Sequence, residues 1–328
     1  MPGVNFINRS AVIIADALLS LYFRYCGLSK STVDLDDNQT TLHIWASTHR
    51  HLNKPNLLLI HGFGGNSKWQ FVFQVSQSVM CTFQISYSSS VNHTLAVLQV
   101  SQLSRDFNVY IPDLVFFGGS YSSRSERSVR FQARCVRDGL RKMRVERFSV
   151  YAISYGGFVG YRMAEEYEET VEKLVIVSSG IVCRHDRKLE HMEKIGRSVV
   201  DLLVAKTPDD LRMLCRLSIH KYDIGRWIPD FFLWGFITLE GCRKEKEELV
   251  KELLIEKPEA DPPVLTQETL LIWGDKDVVF PLDWAYQLQR HLGGKSKLEI
   301  IRNVGHAANI EAPYSLNRYI TSFVLGSV

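Results

Sequence analysis

Apolar runs of strand length alternate with helix-period stretches through most of the chain, and this alternation restricts the fold more than any other feature. "NLLLIHGFGG", "FNVYIPDL", "RFSVYAIS", "KLVIVSS", "TLLIWGD" and "KLEIIRN" are short continuous apolar runs closed by turn residues. Strands buried on both faces have this composition. Between and after them come "SVRFQARCVRDGLRKM", "YGGFVGYRMAEEYEE", "LDWAYQLQRHLG" and "YSLNRYITSFVL", which carry helical periodicity. "TVDLDDNQTTLHIWAST" adds two strands around an Asp-Asp-Asn turn. The pattern predicts an α/β fold with a mostly parallel sheet flanked by helices. The alternation stops between residues 181 and 262, where the text is helical and mixed in charge. We expect an all-helical cap there, set over the carboxyl edge of the sheet, where open α/β folds bind ligands. Its "WIPDFFLWGFITL" is unusually aromatic and suits either the cap's own core or an apolar wall for a greasy substrate.

The bulk numbers exclude some classes of function. Lys and Arg total 39 against 36 Asp and Glu, spread along the chain without the basic stripe that a phosphate backbone requires. Nucleic acid is therefore not an expected partner. The 6 cysteines are far apart, with no CxxC pair and no metal-ligand spacing. Reduced thiols, a cytoplasmic location and no metal follow as expectations.

Residues 1–30 contain "AVIIADALLSLYF", which is too short to span a bilayer and is interrupted by Asp16. Arg9, Asp16, Ser20 and Arg24 share one side at helical spacing and leave a broad apolar arc. This amphipathic helix is expected to pack its arc on the body of the protein; the alternative is peripheral contact with a membrane surface.

Residues 75–99, "VSQSVMCTFQISYSSSVNHTLAVLQ", lack any Asp, Glu, Lys or Arg in a chain that is 23% charged. Leaving them out joins "WQFVFQ" to "VSQLSRDF" as one amphipathic helix. The stretch reads as an insertion, either an in-frame retained intron or a small duplication, with a family-specific loop as the alternative. An interrupted helix at this point would loosen the loop before it.

In "YAISYGGFVG", Ser154 stands at a strand-to-helix junction. A nucleophile on such a turn needs small residues two before and two after it, and Ala152 and Gly156 supply them. Three further phrases complete the chemistry. "HGFGG" follows a buried strand and lets the Phe63 N–H, with that of Tyr155, face an oxyanion, while His61, Gly62 and Gly64 shape the loop. "WGDKDVVFP" places an acid after a strand, either Asp275 or Asp277. "NVGHAANIEAP" places His306 after the last strand. The order Ser, Asp, His is the one found in α/β-hydrolases.

On these phrases the chain resembles the α/β-hydrolase superfamily, in particular plant serine hydrolases similar to monoacylglycerol lipases and the meta-cleavage C–C hydrolases. The resemblance runs from about residue 31 to the C-terminus. It implies an eight-stranded sheet, a core of residues 31–180 and 263–328, a helical cap at 181–262 after the sixth strand, and no cofactor. It also makes Asp277, four residues before Pro281, the orienting carboxylate beside Ser154 and His306. The implied activity is cleavage of an apolar carboxylic ester through an acyl-enzyme. The alternatives are C–C bond hydrolysis or a ligand receptor with little turnover.

Overall fold

The computed structural model describes residues 2–75, 102–182, 190–191, 196–255 and 262–326. The strands are β1 (Leu28–Asp34), β2 (Thr40–Ser47), β3 (Asn56–Ile60), β4 (Asn108–Pro112), β5 (Tyr121–Ser122), β6 (Phe148–Ile153), β7 (Val171–Val177), β8 (Glu268–Gly274) and β9 (Ser296–Ile301). They form one sheet in the order β1-β2-β4-β3-β6-β7-β8-β9, with β5 paired to β2. The strands from β4 to β9 along this path run parallel; β1, β2 and β5 join antiparallel. Eight strands thus match the expected number, and the two-residue β5 is a ninth that two residues of text could not announce. Residues 57–60 of β3 and all of β6 are buried, as strands covered on both faces must be.

The helices are α1 (Pro2–Tyr25), α2 (Ser67–Val75), α3 (Gln102–Asp106), α4 (Val129–Lys142), α5 (Tyr155–Glu166), α6 (Val199–Leu203), α7 (Pro208–Ser218), α8 (Asp230–Leu239), α9 (Arg243–Ile255), α10 (Leu282–Leu292), α11 (Ala308–Glu311) and α12 (Pro313–Leu325). Local chemistry starts several of them. The Ser128 hydroxyl accepts from the Phe131 N–H at the head of α4, and Thr207 and Asp210 close a capping box on α7. Helices α6 to α9 occupy the interval between β7 and β8.

Two apolar clusters lie on opposite faces of the sheet. One gathers Leu58, Ile60, Val150, Ala152, Leu174 and Ile176; the other gathers Leu57, Leu59, Tyr151, Ile153, Val175 and Val177. Alternate residues of one strand therefore feed different layers, as the period of two requires.

The uncharged stretch falls outside the described residues, apart from Val75 at the end of α2. On either side of it, Phe71, Leu103 and Phe107 are buried in the same cluster. Counted with residues 75–99 left out, they stand at i, i+7 and i+11, a single helix face.

The orientation of α1 departs from expectation. Its Asp16 side turns inward: Lys68 Nζ meets Asp16 Oδ2 at 2.6 Å and donates to Ser20 Oγ at 2.8 Å. Val12 and Phe23 are buried, and Phe23 meets the Trp45 ring edge-on at 5.3 Å. The apolar arc is consequently split, and a stripe of it faces outward. The pull of buried Lys68 on an acid and a hydroxyl overrode simple amphipathic packing.

The aromatic stretch of residues 227–239 is likewise placed differently from either sequence reading. Phe232 and Phe236 pack edge-on against Trp69, while Trp227, Phe231 and Trp234 are exposed.

Candidate functional site

Ser154 ends the buried run of β6 and caps α5 with φ 56° and ψ −121°. A side chain other than glycine held at positive φ stores about 1–3 kcal/mol of strain and persists only where packing enforces it. Close approach supplies that packing. A Cβ on Gly156 would lie 2.5 Å from the Ile60 carbonyl oxygen, and one on Gly160 would lie 2.8 Å from Ala152 Cβ. Small residues around Ser154 therefore let α5 press onto β3 and β6 while the turn stays sharp.

His306 follows β9, and Asp277 follows β8. His306 Nε2 lies 2.9 Å from Ser154 Oγ, and His306 Nδ1 lies 3.0 Å from Asp277 Oδ2. A carboxylate can only accept, so Nδ1 carries the ring proton and Nε2 accepts from the Ser154 hydroxyl. Asp277 is buried, and its Oδ1 accepts from the Val279 and Phe280 N–H groups, each at 2.9 Å. Asp275 is occupied elsewhere: its Oδ1 accepts from the Asn303 N–H at 2.6 Å, tying the β8 loop to the β9 loop. The Phe280 ring stands edge-on to His306 at 5.3 Å.

The loop at 61–65 lies against this chain of hydrogen bonds. A Cβ on Gly62 would fall 3.0 Å from Ser154 Cβ, and Gly64 takes φ 92°. Phe63 meets the Tyr155 ring at 5.5 Å and the Phe117 ring at 4.9 Å. The Tyr155 N–H opens α5, at the positive end of that helix.

His61 takes no part in the chain. Its Nδ1–H donates to the Gly62 carbonyl at 2.7 Å, and its Nε2 accepts from the Leu114 N–H at 2.9 Å. Burial pushes its imidazole below the ordinary 6.5, opposed in part by the charge of Asp113. The sign for stability follows. Below pH 6.5 the unfolded chain binds a proton at this ring that the folded chain refuses, so folding stability is present above that pH and falls as acid is added. Denaturant titrations above and below pH 6.5 should show that loss, and His61→Gln should show a shallower dependence. An equal slope in the variant would contradict the assignment.

Glu311, in α11, is a site residue that the sequence reading passed over. It is buried; its Oε2 accepts from the Gly305 N–H at 2.6 Å, and its Oε1 accepts from His220 and Lys221 N–H at 3.1 and 2.6 Å. The Ala307 N–H donates to the Ser218 carbonyl at 2.8 Å. Both neighbours of His306 are thus fastened, one through Glu311 to the chain just after α7 and one directly to the last residue of α7. The only textual sign was an acid one short helix after the histidine; the partners near residue 220 are too distant in sequence to read. Glu311→Ala strands buried N–H groups and should lower unfolding free energy by about 1–3 kcal/mol, read by chemical denaturation. An unchanged midpoint would contradict this.

A cavity of about 290 Å³ opens above Ser154 and His306. Its wall is apolar, with Leu202, Leu203, Leu214, Leu217 and Leu254 contributed by α6, α7 and α9, and aromatic Trp69, Phe158, Phe280 and Trp284 from the core. Among the described residues, none from 227–239 lines it. The arrangement offers a hydroxyl, a base and a carboxylate in series, facing an apolar chamber.

Comparison with known proteins agrees with this fold. A family model described as the alpha/beta hydrolase fold matches residues 55–211. An uncharacterised protein of Mycobacterium tuberculosis is 25% identical over 274 residues, covering 77% of this chain and 70% of its own. Epoxide hydrolase 3 of Xenopus tropicalis is 22% identical over 317 residues, covering 89% and 77%. Among solved structures, a membrane phospholipase A described as a bacterial virulence factor superposes with a TM-score of 0.72 at 20% identity, covering 98% of this chain and 92% of its own. With its sheet order, its serine at the β6–α5 turn and the matching family model, the chain has the α/β-hydrolase fold.

Proposed function

We propose that this chain is a serine hydrolase that cleaves an apolar carboxylic ester. The observation that carries the reading is the series Ser154 Oγ, His306 Nε2, His306 Nδ1, Asp277 Oδ2, with links of 2.9 and 3.0 Å, at the floor of an apolar cavity. In this reading Ser154 Oγ attacks the ester carbonyl while His306 takes its proton. Asp277 holds the ring in the tautomer that can accept and balances the imidazolium that forms. The Phe63 and Tyr155 N–H groups receive the developing oxyanion, helped by the positive end of α5. His306 then protonates the departing alcohol, and water cleaves the acyl-Ser154 bond by the same steps in reverse. Helices α6 to α9 act as the cap that keeps water from the chamber.

The cavity lies at the small end of ligand pockets, which favours short to medium acyl groups. Serine at the turn argues against epoxide opening, for which relatives of this fold place aspartate at that position. Peripheral contact of α1 with a membrane surface accompanies the reading and would bring such esters to the cavity. A panel of nitrophenyl esters of increasing acyl length, with a vinylogous diketone as the C–C substrate, tests the proposal. We expect turnover of esters with an optimum at short to medium length. Turnover of the diketone alone, or of nothing in the panel, would overturn it.

A further inference from the structure

The outward stripe of α1 has a specific composition. Ile14, Leu18, Leu21 and Tyr25 stand at i, i+4, i+7 and i+11 and are 57–72% exposed, with Ile13 on their flank at 54%. Exposed apolar residues taken singly need no explanation, but a stripe along three turns marks a contact surface. The helix is not free to roll this stripe inward. Lys68 grips Asp16 and Ser20, Phe23 is fixed against Trp45, and a Cβ on Gly235 of α8 would fall 2.0 Å from the Asn8 carbonyl oxygen. Turning Asp16 and Ser20 toward Lys68 while this apolar stripe faces outward is the reverse of what water alone would select.

The charges on α1 identify the surface it fits. Its sole acid, Asp16, is engaged by Lys68, and its two remaining charges, Arg9 and Arg24, are exposed. Helix α8, packed against α1, adds exposed Phe231 and Trp234, with Trp227 just ahead of it. An apolar stripe with Arg24 along one edge and Arg9 exposed farther round the same helix, with aromatic side chains nearby, matches the boundary between acyl chains and anionic headgroups. Among the described residues no helix is long and apolar enough to cross a membrane, so α1 would lie in the interface plane.

We propose that α1 docks this protein on an anionic lipid bilayer through Ile14, Leu18, Leu21 and Tyr25, with Arg9 and Arg24 facing the headgroups. This extends the proposed ester hydrolysis by naming the surface from which substrate is drawn, yet the docking itself is read without turnover. The same Lys68 that fixes α1 sits in α2, directly after the 61–65 loop, so the docked helix is fastened next to the site.

The test is co-sedimentation of the full chain with phosphatidylcholine vesicles and with vesicles of equal parts phosphatidylcholine and phosphatidylglycerol. We expect binding to the anionic vesicles that weakens with added salt. Leu18→Glu and Leu21→Glu should each weaken binding roughly ten-fold or more, and Arg24→Gln about five-fold. Because these positions are exposed, thermal midpoints and turnover of a water-soluble ester should stay at the parent value. Absent vesicle binding, or equal binding by the glutamate variants, would overturn the proposal. So would a dimer in vesicle-free buffer that these substitutions dissolve, since the stripe would then serve a second copy. Vesicle binding by a chain inactive on every ester would leave docking standing and remove the hydrolase reading instead.

Discussion

Ser154→Ala is expected to lower kcat/KM for a short nitrophenyl ester by at least about 10⁴-fold while leaving the fold intact. The size of the effect follows from the division of labour in the site. Without the hydroxyl there is no nucleophile for His306 to activate, and only the oxyanion donors and the cavity remain to favour a direct attack by water. The alanine keeps the packing that sets the turn, because Gly156 and Gly160 still press α5 onto the sheet. Its denaturation midpoint should therefore stay close to the parent's, and a lost signal would not be mistaken for unfolding. Parent-level turnover by a folded Ser154→Ala protein would remove Ser154 from the chemistry.

The second large effect is expected at Asp277, with Asp275 as its control. Asp277 Oδ1 is held by two backbone N–H groups. In Asp277→Asn the amide oxygen would take that place, because it is the only acceptor left, and the NH₂ would face His306. A donor there forces Nδ1 to give up its proton, which moves to Nε2, and the ring can no longer accept from Ser154. A loss of about 10⁴-fold in kcat is expected from this tautomer error. Asp275→Asn should cost less than about ten-fold, since Asp275 binds the Asn303 backbone and not the ring. Equal losses in the two variants would contradict the assignment of the orienting carboxylate.

Much of this arrangement was readable because short-range chemistry fixes it. Buried strands such as Asn56–Ile60 and Phe148–Ile153 appear as unbroken apolar text, and the turn at Ser154 requires small neighbours at set distances along the chain. Ser154, His306 and Asp277 each follow a strand, so a parallel sheet brings its carboxyl ends, and with them these side chains, to one edge. The choice between Asp275 and Asp277 came from resemblance, because both stand in the same loop and differ only in where the loop points them.

Contacts made across long sequence separations were not readable. Glu311 acquires its role from residues 90 and 91 positions away. The facing of α1 depends on Lys68, 52 residues from Asp16, and nothing in the helix itself reports that an acid will be drawn inward. The aromatic residues of α8 suited either the cap's own core or a cavity wall, whereas the cap's share of that wall comes from the aliphatic residues of α6, α7 and α9, since helix packing and not composition decides which side chains face the sheet.

Peptide mapping by mass spectrometry after treatment with a fluorophosphonate tests the role of the hydrogen-bonded series most directly. A single stoichiometric adduct is expected on the peptide containing Ser154, formed slowly in Asp277→Asn and absent in Ser154→Ala. An adduct on another residue, or labelling at the parent rate in a folded His306→Ala protein, would contradict it.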